Sequence, residues 1–260
     1  MFESYKDIFN HRGDLYHQAM AASPRARLEE FKTLIDLLEI RKGDVLADIP
    51  SGGGYLQNYL DLNNAETDLT LYSVDSSAQF LRNCPGRDKV VCGDVAKLPF
   101  RSESFHKVFS LAGVHHMSDK KAFFKEVSRM LRFGGIFGLA DVESGSRVDR
   151  FLNVFVDQFN SMGHKGIFLD ESTRLELESC NFEIVVARNA PVTWRFLDKL
   201  EMINFVTQLF GLDKANDQDV EKGINEFLRV QRINGAYCLN WELLYIKARK
   251  QRTADQKRAA

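Results

Sequence analysis

Three carboxylates in this chain each follow a short apolar run. Asp48 lies in VLADIPSGGG, Asp75 follows LTLYSV, and Asp94 stands in Gly93-Asp94-Val95 just after Val90–Cys92. Beside the first, Gly52, Gly53 and Gly54 allow dihedrals closed to other residues and let the backbone approach a ligand. Asp75 comes about 20 residues past that turn, the spacing at which a carboxylate accepts from both ribose hydroxyls and disfavours a 2′-phosphate. Asp94 can accept from an exocyclic amine of adenine while the Val95 amide donates to a ring nitrogen. Any one of these acids reads equally well as a helix N-cap. Three at successive strand ends, in one crevice, point to an adenosine-containing ligand.

The glycine turn itself fits two common nucleotide loops less well. A dinucleotide fingerprint needs a third glycine beyond Gly54, where Tyr55, Leu56 and Gln57 stand, and a phosphate loop needs a lysine. A second set of reactive groups is His115-His116, after the run FHKVFSL. Imidazole has a suitable pKa for a general base. Adjacent side chains on an extended segment point opposite ways, so one histidine, His115, is expected in a pocket. The other then bonds backbone near the Ser118/Asp119 helix cap, and two purely structural histidines remain an equal alternative. No metal site is expected, because neighbouring histidines seldom converge with Asp119. Tyr5, Phe9, Arg12 and Tyr16 recur at helical spacing and share one face, either as a cover for the crevice or as a helix packed on the sheet edge.

The elements that must position these groups read as an α/β, doubly wound, Rossmann-like, seven-stranded mixed sheet with helices on both faces and helical lid insertions. A helix opens at Ser23-Pro24, carries Leu28, Phe31, Ile35 and Leu38, and closes at Gly43. Another runs from Asp119 to Arg132. Phe182–Ala187 is a sixth strand and Leu239–Ile246 a seventh. The expected divisions are an N-terminal lid segment 1–22, a core 23–189 with a helical excursion 147–166, a helical lid 190–235, a final strand 236–249 and a basic tail 250–260. The lid stripes include Leu197, Leu200, Met202, Ile203, Phe205 and Val206, with Trp194 and Phe196 as pocket walls.

Several of these motifs, in order, resemble the class I S-adenosylmethionine-dependent methyltransferases, close to the type 11 group. DIPSGGG is similar to their methionine-end loop and VDSS to the ribose strand end. GDVAKLPF resembles the adenine strand end, SFHKVFSLAGVHHMSD the fourth strand, and KEVSRMLRFGGIFGLADV the helix and fifth strand. The likeness covers about half the chain, and the family topology it implies would insert the seventh strand antiparallel beside the sixth. It implies S-adenosyl-L-methionine as cofactor, S-adenosyl-L-homocysteine as product, and Asp48, Ser51, Gly52, Gly53, Gly54, Asp75, Ser76, Asp94, Val95 and Leu111 as cofactor-binding residues. It further implies Arg12 on the cofactor carboxylate, Tyr16 near the sulfonium, and His115 and His116 facing the acceptor. Pro50 in place of a glycine and His106 in place of an aspartate depart from the pattern. A non-catalytic cofactor-binding protein and an NAD-dependent oxidoreductase are the alternatives.

Composition narrows the partners. With 260 residues, 44% apolar, the chain can bury a substantial core, and its net charge of −1 gives no field toward nucleic acid or anionic lipid. No apolar run is long enough to span a bilayer. Cys84, Cys92, Cys180 and Cys238 lack metal or paired spacing, so a cytoplasmic protein with reduced thiols is expected. The expected partner is a small-molecule methyl acceptor, and a homodimer is compatible with the reading.

Overall fold

The computed structural model describes residues 5–63, 68–86 and 89–252. Strands β1 (Val45–Asp48), β2 (Thr70–Asp75), β3 (Val90–Cys92), β4 (Phe105–Leu111) and β5 (Leu131–Asp141) are parallel, in the order β3-β2-β1-β4-β5. Two long antiparallel strands, β6 (Phe182–Phe196) and β8 (Ala236–Lys250), complete the sheet, with β8 inserted between β5 and β6. That insertion is as expected, but both strands outrun the apolar segments that announced them.

Among the described residues the sheet has eight strands, where seven were expected. Strand β7 (Val230–Ile233) pairs with the start of β8, where β5 has not yet joined it. Asn234 and Gly235 link the two strands with φ of 51° and 85°. Positive φ at both central residues is the signature of a two-residue hairpin turn, for which Asn-Gly is the preferred pair.

Alternation along the strands divides the core into two layers. Leu46, Phe109 and Ala140 meet Phe31, Leu34 and Leu38 of helix α2 (Leu28–Leu38), and Leu56 and Leu60 of α3 (Tyr55–Leu62). Their neighbours Ala47, Val108 and Leu139 face Phe123, Phe124 and Val127 of α5 (Lys120–Met130), which Asp119 caps. Helices therefore cover both faces, the arrangement that parallel strands require.

The N-terminal segment forms one helix, α1 (Tyr5–Ala22), that ends where a second was expected to start. Ser23 is not an N-cap; its hydroxyl donates to Glu201 Oε1 at 2.6 Å, and α2 begins only at Leu28. Nor does Gly43 close α2, which stops at Leu38 with Glu39 in the left-handed region. Helix α4 (Ala78–Leu81) follows β2.

After β5, α6 (Arg147–Arg150), a π-helical turn (Phe151–Val156) and α7 (Asp157–Phe159) run on without a break; α8 (Glu171–Ser179) precedes β6. Between β6 and β7 lie α9 (Lys199–Phe210), α10 (Asp217–Gly223) and a second π turn (Ile224–Leu228). Met202, Ile203, Phe205, Val206, Phe151 and Phe227 of these segments enter the same layer as α2 and α3. Leu197 and Leu200, expected on the apolar face, are instead exposed. Among the described residues no helix is long and apolar enough to cross a membrane. All four cysteines are free thiols. Of the expected basic tail, residues 253–260 lie outside the described residues.

Candidate cofactor and acceptor site

The carboxyl ends of β1, β2 and β4 open onto a cleft lined by Asp48, Ser51, Gly52, Tyr55, Phe80 and Leu111. Gly52 and Gly54 take φ of 56° and 76°, so the turn after β1 needs them. Gly53 has an ordinary φ, contrary to its expected use; a Cβ there would lie 2.8 Å from the Tyr55 hydroxyl. Pro50, the departure from the family pattern, packs on Gly113, where a Cβ would come within 2.3 Å of the proline ring. His106, the other departure, lies away from the cleft, with its Nδ1 accepting from the Val45 amide at 2.9 Å.

Asp75 is fully buried at the end of β2. It accepts from the Gly52 amide (2.9 Å), the Ser77 amide (2.8 Å) and the Tyr5 hydroxyl (2.8 Å). Burial outweighs these bonds and pushes its carboxyl up to about 6. Burial and the charge of Asp75 likewise push Asp48 well above the usual carboxylate range. Tyr5 also lines a neighbouring groove with Ser76, Asp94, Val95, Met117 and Asp119. Asp48 and Asp94 thus lie along one channel through Tyr5, which borders both spaces and bonds the buried Asp75. Asp94 is exposed and caps the Ala96 amide at 2.9 Å.

Sequence spacing missed the cation of the cleft. Arg12 lines a second cavity and donates to the Leu209 carbonyl at 3.1 Å, because α9 draws it away. Arg27 lines both spaces. Its guanidinium bonds Glu30 and the Tyr16 hydroxyl and lies 5.3 Å from the Trp194 ring, whose Nε1 donates to Glu30 at 2.6 Å. Burial pushes Glu30 up against the pull of Arg27. Tyr16 lines both spaces but is engaged by Arg27.

The second cavity shares Phe9, Tyr16, Arg27 and Ala112 with the first, and adds Trp194, Phe210, Trp241 and three histidines. His115 and His116 do not point opposite ways. They belong to a 3₁₀ turn, Val114–His116, and their ring centroids lie 4.1 Å apart. His164, from the loop after α7, joins them at 5.6 and 5.4 Å. His115 Nδ1 meets Asp141 Oδ1 at 2.7 Å, and Asp141 also accepts the His115 and Val142 amides. Burial pushes His116 and His164 well below the ordinary imidazole range, so both are neutral near pH 7.

Residues 47–139 match the family model described as a methyltransferase domain. Over 155 residues the chain is 28% identical to the 27-O-demethylrifamycin SV methyltransferase of Amycolatopsis mediterranei (strain S699), covering 54% of this chain and 56% of that protein. The chain carries a class I methyltransferase domain. Over 136 residues it is 30% identical to the tRNA (carboxymethyluridine(34)-5-O)-methyltransferase alkbh8 of Xenopus tropicalis, covering 50% of this chain and 19% of that one. The match therefore spans less than two thirds of either relative. In fold, the methyltransferase domain and its additions resemble a geranyl diphosphate C-methyltransferase from Streptomyces coelicolor A3(2), solved with Mg2+, geranyl diphosphate and S-adenosyl-L-homocysteine. That match has a TM-score of 0.56 at 15% identity, covering 90% of this chain and 83% of that one.

The channel fits the cofactor of such a domain. Ser51 Oγ and Tyr55 Oη are buried without a hydrogen-bond partner on the wall of the cleft, so each has a bond to give to a polar occupant.

Proposed function

We infer that this protein moves the methyl group of S-adenosyl-L-methionine to a small-molecule acceptor. The observation that carries this reading is the shared wall of the two cavities: Phe9, Tyr16, Arg27 and Ala112 border both. A sulfonium methyl in the first space and a nucleophile in the second would face each other across that wall. Methyl transfer is an in-line displacement, so holding the two reactants close and aligned supplies much of the rate.

Each residue then has a part. Asp75 takes the ribose hydroxyls once Tyr5 releases it, while Asp94 and Val95 read the adenine edge. Ser51, Gly52 and Gly54 border the methionine end, with Arg27 as the cation nearest its carboxylate. Asp141 fixes the tautomer of His115, whose Nε2 keeps a lone pair for an acceptor proton. Trp194, Trp241 and Phe210 favour an acceptor with flat or apolar surface, and Trp241 Nε1 and Arg12 Nε, both buried without partners, favour one that also carries an acceptor oxygen. The protein with labelled cofactor and a small-molecule extract is expected to yield S-adenosyl-L-homocysteine and a labelled small molecule. Label found only in RNA or protein would reject the acceptor class.

A further inference from the structure

We propose that His115, His116 and His164 form a binding site for one first-row divalent cation, zinc above others, with an open position facing the acceptor cavity. One ring nitrogen from each histidine lies within 4.8 Å of the other two. The orientation of two of the rings is fixed from behind. His115 Nδ1 is held by Asp141, which is completely buried. His164 Nδ1 meets Asn153 Oδ1 at 3.1 Å, and that same oxygen accepts the Gly166 amide at 2.8 Å, while Asn153 Nδ2 donates to the Gly166 carbonyl at 3.0 Å. An atom that accepts an amide proton must be the oxygen, so His164 Nδ1 carries a hydrogen. Both histidines therefore keep Nε2 as a bare lone pair.

Carboxylate or amide behind an imidazole, with the opposite nitrogen left bare, is the arrangement that orients histidine ligands on zinc. Among the described residues, no hydrogen bond satisfies Nε2 of His115 or His164. Several imidazole lone pairs gathered in a buried pocket repel one another unless a proton or a cation lies between them. Imidazole nitrogens at about 2.0–2.1 Å from zinc lie about 3.3 Å apart, so the rings must close by about 1.5 Å at most. The donor set, three imidazoles without a thiolate, leaves a tetrahedral ion one free position. Arg12 adds a positive charge to the cavity, and the buried Asp141 offsets it.

Resting on the acceptor reading above, with His115 then a metal ligand in place of a base, the free position would take the acceptor's oxygen. A hydroxyl bound there loses its proton to bulk water at lower pH than it otherwise would. Its oxygen then forms the new C–O bond as the methyl C–S bond breaks, and the electron pair stays on sulfur as a neutral thioether.

The test uses the full, tag-free chain, stripped with a chelator and titrated with zinc ion alone, then with cobalt ion. One equivalent of zinc is expected to bind, with the intense visible bands of tetrahedral cobalt. His164→Ala should weaken zinc by at least about tenfold and abolish those bands, and Asn153→Leu should weaken it about 10- to 100-fold. S-adenosylhomocysteine affinity serves as the check that each variant is folded and should not change. Zinc binding unaltered by His164→Ala, or no stoichiometric binding to a chain that still binds the homocysteine product, would overturn the site. Stoichiometric zinc on the three histidines without binding of that product would instead uphold the site and reject the methyltransfer reading.

Discussion

The Tyr5 hydroxyl donates to Asp75 Oδ2 at 2.8 Å, on the same oxygen that the Gly52 amide reaches at 2.9 Å. Helix α1 therefore holds the very carboxylate that the ribose would need. Phe9 stacks on Phe80 at 4.9 Å one turn further along, which fixes α1 over the cleft. On the proposed cofactor reading, the ribose would displace that phenol, and the N-terminal helix would be a cover that competes with the nucleoside.

Tyr5→Phe removes the competing hydrogen bond while keeping the ring. It is expected to tighten S-adenosylhomocysteine binding by about three- to tenfold, the worth of one hydrogen bond to a charged acceptor reduced by solvent access. Calorimetry on the variant checks this, and weaker binding would show that the phenol serves the bound cofactor instead.

Acidification should act oppositely on stability and on binding. The folded pKa of Asp75, about 6, lies above its unfolded value, so the folded state holds the extra proton between about pH 4 and 6. That group's contribution to stability falls as pH rises through the window, and Asp48 acts in the same direction. Ribose recognition needs the ionised carboxylate, so affinity for the homocysteine product should drop about fourfold from pH 7.5 to 5.5. Titrations at the two pH values decide it, and unchanged affinity would remove Asp75 from the site.

Glu30 is completely buried and satisfies both Arg27 and the Trp194 indole. Glu30→Ala leaves a buried guanidinium unpaired and should cost about 3–5 kcal/mol. For a chain of this size that corresponds to a fall in Tm of about 10 °C, measurable by calorimetry. The double variant Arg27→Met/Glu30→Leu should lose much less, because no lone charge is left behind.

His115→Ala should abolish or strongly reduce methyl transfer, with little change in affinity for the homocysteine product. The two readouts separate an acceptor-side histidine from one that shapes the cofactor cleft. A parallel loss of both would place it on the cofactor side.

The parallel core was legible because its signals are local. A short apolar run, an acid and a glycine turn lie within ten residues from Val45 to Gly54. The histidine cluster was not legible for two physical reasons. Opposite-pointing neighbours are a rule of extended chain, whereas a 3₁₀ turn spaces side chains about a third of a turn apart. His164 comes from a loop 48 positions beyond His116, joined to His115 by the Ile167 amide on its carbonyl at 2.8 Å. Arg12 was assigned by its place on the face of α1, and only the packing of α9 takes it elsewhere. The hairpin at Asn234-Gly235 did carry a readable signal, obscured by the weak apolar pattern of VQRI.

Calorimetric titration of the wild type and Asp75→Ala with S-adenosyl-L-homocysteine tests the central claim most directly. The account predicts one molecule bound per chain, and affinity lower by at least about tenfold in the variant, as loss of two charge-assisted bonds requires. No binding to the wild type, or equal affinity in the two proteins, would contradict it.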